Sequence, residues 1–321
     1  MVKKYLALIE AEIKKQKFGS QPNSLYEPIR YIMTLGGKRL RPLLAVLSYS
    51  RYKNDAEKII PYAVAVEAFH NFTLLHDDIM DKAPLRRGQA TVHEKWNVNT
   101  AILSGDVMLV KVYDMLLGLE EKKLKDVLAI FNRCAAEVCE GQQWDMEFES
   151  RAKVTETQYI NMIRLKTAVL LGFSLELGAV LADAPTRDRQ ALREFGVNIG
   201  IGFQLKDDWL DVYADKKKFG KQVGGDIIAN KKTFLLIKAQ EKARGKQKAE
   251  LEKWMTVKKF RKTEKVKAVT SIFNDLNVSA ITERKINHYF DQGFACLDQL
   301  SHSASNELLK TFVVTLISRE A

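Results

Sequence analysis

The stretch LLHDDIMDKAPLRRG, residues 74–88, places three aspartates behind an apolar run and two arginines after them. Between Pro61 and Pro84 the chain has no other helix breaker, so the pattern predicts one long helix there. On that helix Asp77 and Asp81 share one face, and like charges at this spacing cost about 0.2–0.5 kcal/mol. The C-terminal end of a helix carries partial negative charge, which adds to the cost. The stretch therefore predicts that cations bind here.

A second acidic group repeats the spacing of the first. The stretch GFQLKDDWLDVYAD, residues 202–215, also ends a long apolar helical pattern and contains D-D-x-x-D. Carboxylate oxygens suit Mg²⁺, which keeps several waters and binds phosphate oxygens together with one or two protein carboxylates. One such group alone fits a solvated helix end equally well, but two copies favour a metal site around a diphosphate. The predicted magnesium ligands are Asp77, Asp78 and Asp81 (the first acidic group) and Asp207, Asp208 and Asp211 (the second acidic group).

Basic residues follow both acidic groups or lie near them in sequence. Lys38, Arg39 and Arg41 follow two glycines in LGGKRLRP, and Arg86 and Arg87 follow the first acidic group. The lysines that follow the second acidic group are Lys216, Lys217, Lys218, Lys221, Lys231 and Lys232. Arginine binds phosphate oxygens with two parallel hydrogen bonds, and lysine supplies a mobile charge. The pattern predicts one phosphate bound through metal and another bound directly, although a solvated surface is a strong competing explanation for the first three of these lysines.

Helical patterns recur along almost the whole chain. Only 6 prolines and 17 glycines occur in 321 residues, which favours long helices over many short strands. The sequence TETQ at residues 155–158 resembles a capping box that starts a helix. No pattern for paired strands is convincing, and residues 216–232, with three glycines and many lysines, predict a mobile loop. The sequence therefore predicts an all-α protein of about ten or more helices, in a single domain over residues 1–321.

The charge balance and the apolar stretches limit the possible functions. Lysine and arginine number 51 against 40 aspartates and glutamates, and this net charge of +11 suits an anionic partner. No helix-turn-helix, zinc-binding or aromatic–basic module accompanies it, so nucleic-acid binding is not expected. The three cysteines show no zinc or disulfide pattern and fit a reducing compartment. Glu10 and Glu12 interrupt a signal-like N-terminus and Glu176 interrupts the most apolar stretch, so we expect a cytoplasmic protein without a transmembrane segment.

Four segments together resemble the trans-prenyl diphosphate synthases, the head-to-tail polyprenyl synthetases. They are GGKRLRP, FHNFTLLHDDIMDKAPLRRG, GFQLKDDWLDVYAD and GKQVGGDIIANKKT, in the expected order between residues 36 and 233. The resemblance implies the isoprenoid synthase fold, a single bundle of long, mostly antiparallel helices around a deep central cavity, and a homodimer. It also implies three Mg²⁺ ions with substrate bound, and isopentenyl diphosphate and an allylic prenyl diphosphate as substrates.

The resemblance also implies roles for individual residues at matching positions. Asp77 and Asp81 match ligands of Mg²⁺ that bridges the allylic diphosphate, and Asp207 matches the site of a third ion. Contacts to the allylic diphosphate are implied for Arg86, Lys166, Lys221 and Lys231. The isopentenyl diphosphate pocket is implied for Gly37, Lys38, Arg41, His70 and Arg87. Thr167 and Gln204 match polar groups near the reacting carbons, while His70 by itself also fits a satisfied core histidine.

The reaction implied is an ionisation followed by a condensation. Metal and basic side chains stabilise the departing diphosphate, the double bond of isopentenyl diphosphate attacks the allylic cation, and the diphosphate accepts the proton. Lys166 and the Thr167 hydroxyl would shield the cation, and the segment around residues 220–225 would close over the site to exclude water.

Product length is expected to depend on residues before the first acidic group. Phe72 lies about 7.5 Å before Asp77 along the helix axis, Phe69 a further turn back, and Thr73 one turn before Asp77. The resemblance implies that a bulky Phe72 limits the chain, and that the small Thr73 and the lack of an insertion in the first acidic group favour geranylgeranyl over farnesyl diphosphate. Core packing explains Phe69 and Phe72 about equally well.

Two other functions share parts of this pattern. A terpene cyclase or head-to-head synthase has a similar helical fold but usually lacks the second acidic group and the GGKRLRP segment. A non-catalytic partner subunit of a prenyl synthase typically loses one acidic group. Both acidic groups are intact, so the sequence favours a prenyltransferase.

Overall fold

A computed structural model describes residues 1–214, 224–301 and 306–318, and its ordered segments are almost all helices. The all-α prediction is confirmed. Lys216, Lys217, Lys218 and Lys221 lie outside the described residues, as does most of the segment predicted to close over the site. The described part of the predicted loop contains a short helix, so the loop prediction is wrong there.

The first compact unit comprises Met1–Arg133 and Phe173–Arg193. Its elements, in chain order, are α1 Val2–Lys15, α2 Asn23–Thr34, α3 Leu40–Tyr49, a 3₁₀ turn Ala56–Ile59, α4 Ile60–Met80, β1 Leu85–Arg86, β2 Gln89–Ala90, α5 Val92–Lys95, α6 Val98–Leu116 and the first part of α7 Glu121–Ser150. Helix α4 is apolar on nearly all sides, and α1, α3 and α6 pack against it. A helix of that composition has to be buried, so α4 forms the core of this unit.

The second compact unit comprises Cys134–Gly172 and Glu194–Ala321. Its remaining elements are α8 Glu156–Ile163, a π-helical turn Arg164–Ala168, α9 Val169–Leu181, α10 Thr186–Tyr213, α11 Gly225–Ala229, α12 Phe234–Lys242, α13 Gly245–Thr256, α14 Lys262–Asp275, α15 Val278–Leu297 and α16 Asn306–Ser318. Parts of α7, α9 and α10 belong to each unit. Buried apolar residues such as Leu235, Val269 and Phe273 form a core here. The single domain and the central cavity stay predictions.

The structure confirms several predictions that depend on short segments of the sequence. The helix predicted between Pro61 and Pro84 is α4. The capping box is present, because the Thr155 hydroxyl accepts from the N–H of Gln158 at 3.3 Å and the Gln158 side chain accepts from the N–H of Thr155 at 3.0 Å. Within the described ranges, the helices are too short or too polar to span a bilayer.

Candidate active site

The first acidic group lies at the C-terminal end of α4. Asp77 and Asp78 occupy the last turn, and the N–H of Asp81 donates to the carbonyl of Asp77 at 2.9 Å. Burial differs within the group, since Asp78 is buried, Asp77 is half-buried and Asp81 is exposed. The helix therefore turns Asp78 inward and leaves the other two carboxylates more accessible.

Asp78 and Arg86 form an ion pair with two hydrogen bonds. Nε of Arg86 donates to Oδ2 of Asp78 at 2.8 Å, and Nη2 donates to Oδ1 at 2.7 Å. Only 3% of the Asp78 side chain is exposed, so an unpaired carboxylate would be costly there. Burial alone would lower the pKa of Arg86, but its hydrogen bond to Asp78 and the charges of Asp78, Asp77 and Asp81 raise that pKa above its usual value. A predicted metal ligand and a predicted phosphate contact thus bind each other.

Arg86 and Arg87 belong to a small β-hairpin that the sequence did not predict. Arg86 pairs with Gln89, and the two residues between them, Arg87 and Gly88, have positive φ angles of 53° and 77°. Positive φ at both central residues is typical of a type I′ turn, which favours glycine. Strands of two residues are too short to show an alternating pattern, so this hairpin could not be predicted from the sequence.

Four of the five residues predicted to bind isopentenyl diphosphate contact one another in pairs. Nη1 of Arg41 donates to Nε2 of His70 at 3.0 Å. The guanidinium of Arg87 lies against Gly37, where an added Cβ would come within 3.0 Å of its terminal nitrogens. The fifth residue, Lys38, is exposed. Gly37, with φ of 147°, allows its backbone to approach the Arg87 guanidinium closely.

His70 is a neutral donor in a positive environment. Burial, and then the charges of Arg41, Arg87 and Arg86, hold the pKa of His70 well below its usual range. Because Nε2 accepts from Arg41, the ring proton is assigned to Nδ1. A neutral N–H donor surrounded by guanidinium groups is suited to binding an anion.

Arg39 differs from its basic neighbours because it is buried. It is 4% exposed and donates to Glu10 and Glu67, both at 2.7 Å, and to the carbonyl of Met33 at 3.1 Å. Glu10 lies on α1 and Glu67 lies on α4. Arg39 therefore fixes the GGKRLRP segment to two helices instead of presenting its charge to a ligand.

Aromatic rings surround the residues predicted to set product length. Phe69 and Phe72 are 1% and 9% exposed, with ring centroids 5.7 Å apart. Phe131 of α7 meets Phe69 edge to face at 5.1 Å. Tyr113 of α6 and Phe173 of α9 in turn pack on Phe131 at 5.1 and 5.8 Å. The facing residues, which the sequence could not identify, are thus aromatic as well.

The second acidic group lies in the last turns of α10. Asp207 is exposed and Asp208 is buried. Asp211 accepts from the backbone N–H groups of Gly225 and Asp226, at 3.2 and 3.0 Å, where α11 begins. Among the described residues, no group of three or more His, Cys, Asp or Glu side chains is arranged as a metal site.

Asp208 lies within a chain of hydrogen bonds that runs from Tyr159 through Asp208 and Gln204 to Thr167, which we call the polar chain. The hydroxyl of Tyr159 donates to Oδ2 of Asp208, and Nε2 of Gln204 donates to Oδ1 at 3.1 Å. The hydroxyl of Thr167 donates to Oε1 of Gln204 at 3.2 Å. Burial, and then the charge of Asp226, raises the pKa of Asp208 to about 8. The structure thus links three predicted site residues, Asp208, Gln204 and Thr167, to a buried tyrosine.

Lys166 lies in the π turn and contacts α7. Its Nζ donates to Oδ2 of Asp145 at 2.6 Å. One turn earlier on α7, Gly141 approaches so closely that an added Cβ would lie 2.1 Å from the backbone nitrogen of Lys166. The exposed Lys231 follows α11, and its backbone N–H donates to the carbonyl of Asp226 at 3.0 Å. The position of Lys166 therefore depends on a glycine and on an aspartate partner.

Comparison with known proteins identifies the family. Residues 22–273 match the sequence profile of the polyprenyl synthetases. The chain belongs to the polyprenyl synthetase family. It is similar to a short chain isoprenyl diphosphate synthase of Methanocaldococcus jannaschii, with 43% identity over 238 residues, 74% of this chain and 72% of that protein. It is also similar to a geranylgeranyl diphosphate synthase of Methanosarcina mazei, with 36% identity over 319 residues, 97% of this chain and 95% of that protein.

A solved structure supports the same conclusion. The crystal structure of a geranylgeranyl pyrophosphate synthase matches this chain with a TM-score of 0.95 and 40% sequence identity. The match covers 100% of this chain and 99% of that one. The prediction of a prenyltransferase with the isoprenoid synthase fold is therefore confirmed.

Sequence reasoning missed several residues that support the site of this polyprenyl synthetase. Tyr159 and Phe131 resemble ordinary core aromatics, and their positions in the sequence do not reveal that they contact Asp208 and Phe69. One signal was present, since Gly141 is an isolated glycine inside a helical pattern, where glycine lowers helix stability and therefore calls for a packing reason.

Proposed function

We propose that this polyprenyl synthetase joins isopentenyl diphosphate to an allylic prenyl diphosphate and releases mainly geranylgeranyl diphosphate. The observation that carries the proposal is that the basic residues occur in two environments. Arg41 and Arg87 surround a neutral His70, whereas Arg86 and Lys166 are each bound to an aspartate. Two environments fit two different diphosphates. Both the Methanosarcina mazei relative and the solved structure bear the name of a geranylgeranyl synthase.

The acidic groups fit magnesium through their accessible carboxylates. We propose that Asp77, Asp81 and Asp207 hold three Mg²⁺ ions, because carboxylate oxygens suit Mg²⁺ and these three side chains are exposed or half-buried. Asp78 and Asp208 are buried and accept hydrogen bonds from the protein, so we assign them a supporting role. Asp211 accepts backbone hydrogen bonds and can contribute a further oxygen. Bound Mg²⁺ would stabilise the negative charge of the leaving diphosphate.

The allylic diphosphate is proposed to bind four basic side chains. Lys166 would exchange its contact with Asp145 for a phosphate oxygen, since its ammonium is the more mobile partner of that ion pair. Arg86 keeps its two bonds to Asp78 and has further N–H groups to offer. The remaining two proposed contacts are Lys221 and Lys231.

Isopentenyl diphosphate is proposed to bind the other basic environment. Arg41 and Arg87 supply charge, Nδ1–H of His70 supplies a neutral donor, and the exposed Lys38 can fold over the phosphate. The guanidinium of Arg87 keeps its place only while residue 37 is glycine.

The proposed chemistry follows from these positions. The C–O bond of the allylic diphosphate breaks and its electron pair leaves with the diphosphate. The double bond of isopentenyl diphosphate then attacks the allylic carbon, and the resulting cation loses a proton to the released diphosphate. The oxygens of Thr167 and Gln204 are proposed to face the cation, because preorganised dipoles stabilise charge without reorganisation.

Product length is proposed to be set by Phe72 with Phe69 behind it. The small Thr73, whose hydroxyl donates to the carbonyl of His70 at 2.8 Å, leaves the neighbouring position open. We expect Phe72→Ala to yield products at least one isoprene unit longer, because the ring that blocks the growing chain is removed. Phe131→Ala, one layer further back, is the matched control and should lengthen products only in combination with Phe72→Ala. Unchanged product lengths in the double variant would contradict the assignment.

A homodimer is proposed to form through α6. Leu103 and Val110 on α6, and Leu117 directly after it, follow each other at seven-residue spacing and are 57%, 57% and 59% exposed. Apolar side chains repeated on one helix face mark an association surface. Val110→Glu should convert a dimer into a monomer in size-exclusion chromatography with light scattering, whereas a wild-type monomer at micromolar concentration would contradict the proposal.

One experiment tests the proposed function directly. The purified protein is incubated with isopentenyl diphosphate and each of three labelled allylic primers, with Mg²⁺ or with a chelator, and products are separated by chain length. We expect elongation only with Mg²⁺ and a main product of twenty carbons. Cyclic hydrocarbons would indicate a cyclase, and no elongation with any primer would indicate a non-catalytic subunit.

A further inference from the structure

The polar chain has a defined direction in this structure. Oδ1 of Asp208 accepts from the Gln204 amide nitrogen, which can only donate, and Oδ2 shares a hydrogen bond with the Tyr159 hydroxyl. With its nitrogen turned to Asp208, Gln204 presents its amide oxygen to Thr167. An amide oxygen can only accept, so the Thr167 hydroxyl has to donate to it. The lone pairs of the Thr167 oxygen are therefore left to point elsewhere.

The polar chain also closes a ring with the backbone. Tyr159 and Thr167 lie eight residues apart on the continuous segment formed by α8 and the π turn, while Gln204 and Asp208 lie one turn apart on α10. Hydrogen bonds at both ends join these two segments. Four side chains that close a ring in this way restrict one another, because no member can rotate without breaking a bond to the next.

Tyr159 is the rigid end of the polar chain. It is 2% exposed, and its backbone N–H donates to the carbonyl of Thr155, the residue that caps α8. Its ring lies 6.5 Å from that of Phe234. A side chain this deeply buried does not touch a substrate, and its hydroxyl needs a partner inside the protein. Any role in the reaction has to act through Asp208.

We propose that Tyr159 is a positioning residue that, through Asp208 and Gln204, aims the lone pairs of the Thr167 oxygen at the allylic cation. The inference rests on the proposed function. An oriented oxygen stabilises the cation until isopentenyl diphosphate attacks, whereas a hydroxyl that rotates freely does not. Tyr159 thereby sets the ratio of condensation to capture by water, and capture by water gives the allylic alcohol and a proton.

Tyr159→Phe removes one hydroxyl and tests the proposal. We expect kcat for condensation to fall roughly tenfold while KM for both substrates changes little, since orientation is lost and phosphate binding is not. The share of allylic alcohol among the products should rise several-fold. This share is a ratio formed by folded enzyme alone, so it does not depend on how much of the variant folds.

The matched control is Tyr213→Phe, at the end of α10. Tyr213 also has a buried hydroxyl, but the described residues offer that oxygen no hydrogen-bond partner. Its removal should leave both kcat and the alcohol share at wild-type values. If Tyr159→Phe behaves like Tyr213→Phe while the wild-type enzyme elongates normally, the positioning role is wrong and the proposed function stands. If the wild-type enzyme makes no elongated product, the proposed function itself fails.

A double-mutant cycle separates the polar chain from a general packing effect. Thr167→Val removes the oxygen that the chain is proposed to aim, and Thr167→Ser retains it. Combined with Thr167→Val, Tyr159→Phe should add little to the alcohol share, because the aimed oxygen is already gone. Combined with Thr167→Ser, it should have its full effect. Equal effects in both backgrounds would overturn the proposal.

Discussion

The two acidic groups share a spacing but differ in how the protein compensates the buried carboxylate. In the first group, Asp78 is matched by the charge of Arg86 through two hydrogen bonds. In the second, Asp208 is held by the neutral side chains of Tyr159 and Gln204, and burial raises its pKa to about 8. In two groups with the same spacing, the buried aspartate therefore forms an ion pair in one and joins a network of neutral side chains in the other.

This difference separates two tasks that the spacing alone cannot distinguish. Of the outer aspartates, Asp81 and Asp207 are exposed and Asp77 is half-buried. The inner ones fix neighbouring residues, since Asp78 holds the hairpin arginine and Asp208 holds Gln204. Each acidic group thus combines carboxylates that we propose to bind metal with one carboxylate that holds a neighbouring side chain in place.

The largest change in kcat should come from substitution of an outer aspartate. Asp77→Asn is expected to lower kcat roughly 10³-fold, because it removes a charged metal ligand at the point where negative charge develops. Steady-state assays at saturating Mg²⁺ measure the effect. Asp275→Asn, an exposed aspartate at the end of α14, is the control and should leave kcat unchanged. Activity near wild type in Asp77→Asn would remove this residue from the metal site.

Removing the partner of the buried aspartate should lower the free energy of unfolding more at the first acidic group than at the second. Arg86→Ala leaves a buried carboxylate without its counter-charge and is expected to lower the free energy of unfolding by about 3 kcal/mol. Tyr159→Phe removes one neutral donor and should cost about 1 kcal/mol. Urea denaturation without substrate or metal gives both values. Equal losses would mean that the two inner aspartates are compensated in the same way.

A smaller effect should appear in the pH dependence of stability. The pKa of Asp208 is raised from 3.8 to about 8, so the folded state retains a proton that the unfolded state releases within this range. The resulting stabilisation is fully present below about pH 4 and is lost as pH rises to about 8. The stability of Asp208→Asn relative to wild type should therefore increase as the pH rises from 5 to 8. Thermal unfolding with a chelator measures the difference, and parallel curves would contradict the raised pKa.

The sequence predicted local features well because their causes are local. The spacing of Asp77 and Asp81, the capping box at Thr155 and the helix between Pro61 and Pro84 all depend on residues a few positions apart. The acidic groups were accordingly placed at helix ends, as the structure shows.

Partners that lie far apart in sequence were not predictable. Arg39 belongs to a basic motif, yet its charge is matched by Glu10, 29 residues earlier. Asp208 looks like its exposed neighbour Asp207 until Tyr159, 49 residues away, is found bound to it. Which carboxylate or guanidinium faces inward depends on how helices pack, and that information is not contained in any short segment.

The π turn at Arg164–Ala168 limits how this enzyme can be recombined with its homologues. In it the N–H of Val169 donates to the carbonyl of Arg164, five residues back, so the turn holds one residue more than an α-helical turn. Deleting a residue there would restore a regular helical turn and change the directions in which the Lys166 and Thr167 side chains leave the helix. Chimeric synthases should therefore place their crossover points outside residues 164–168.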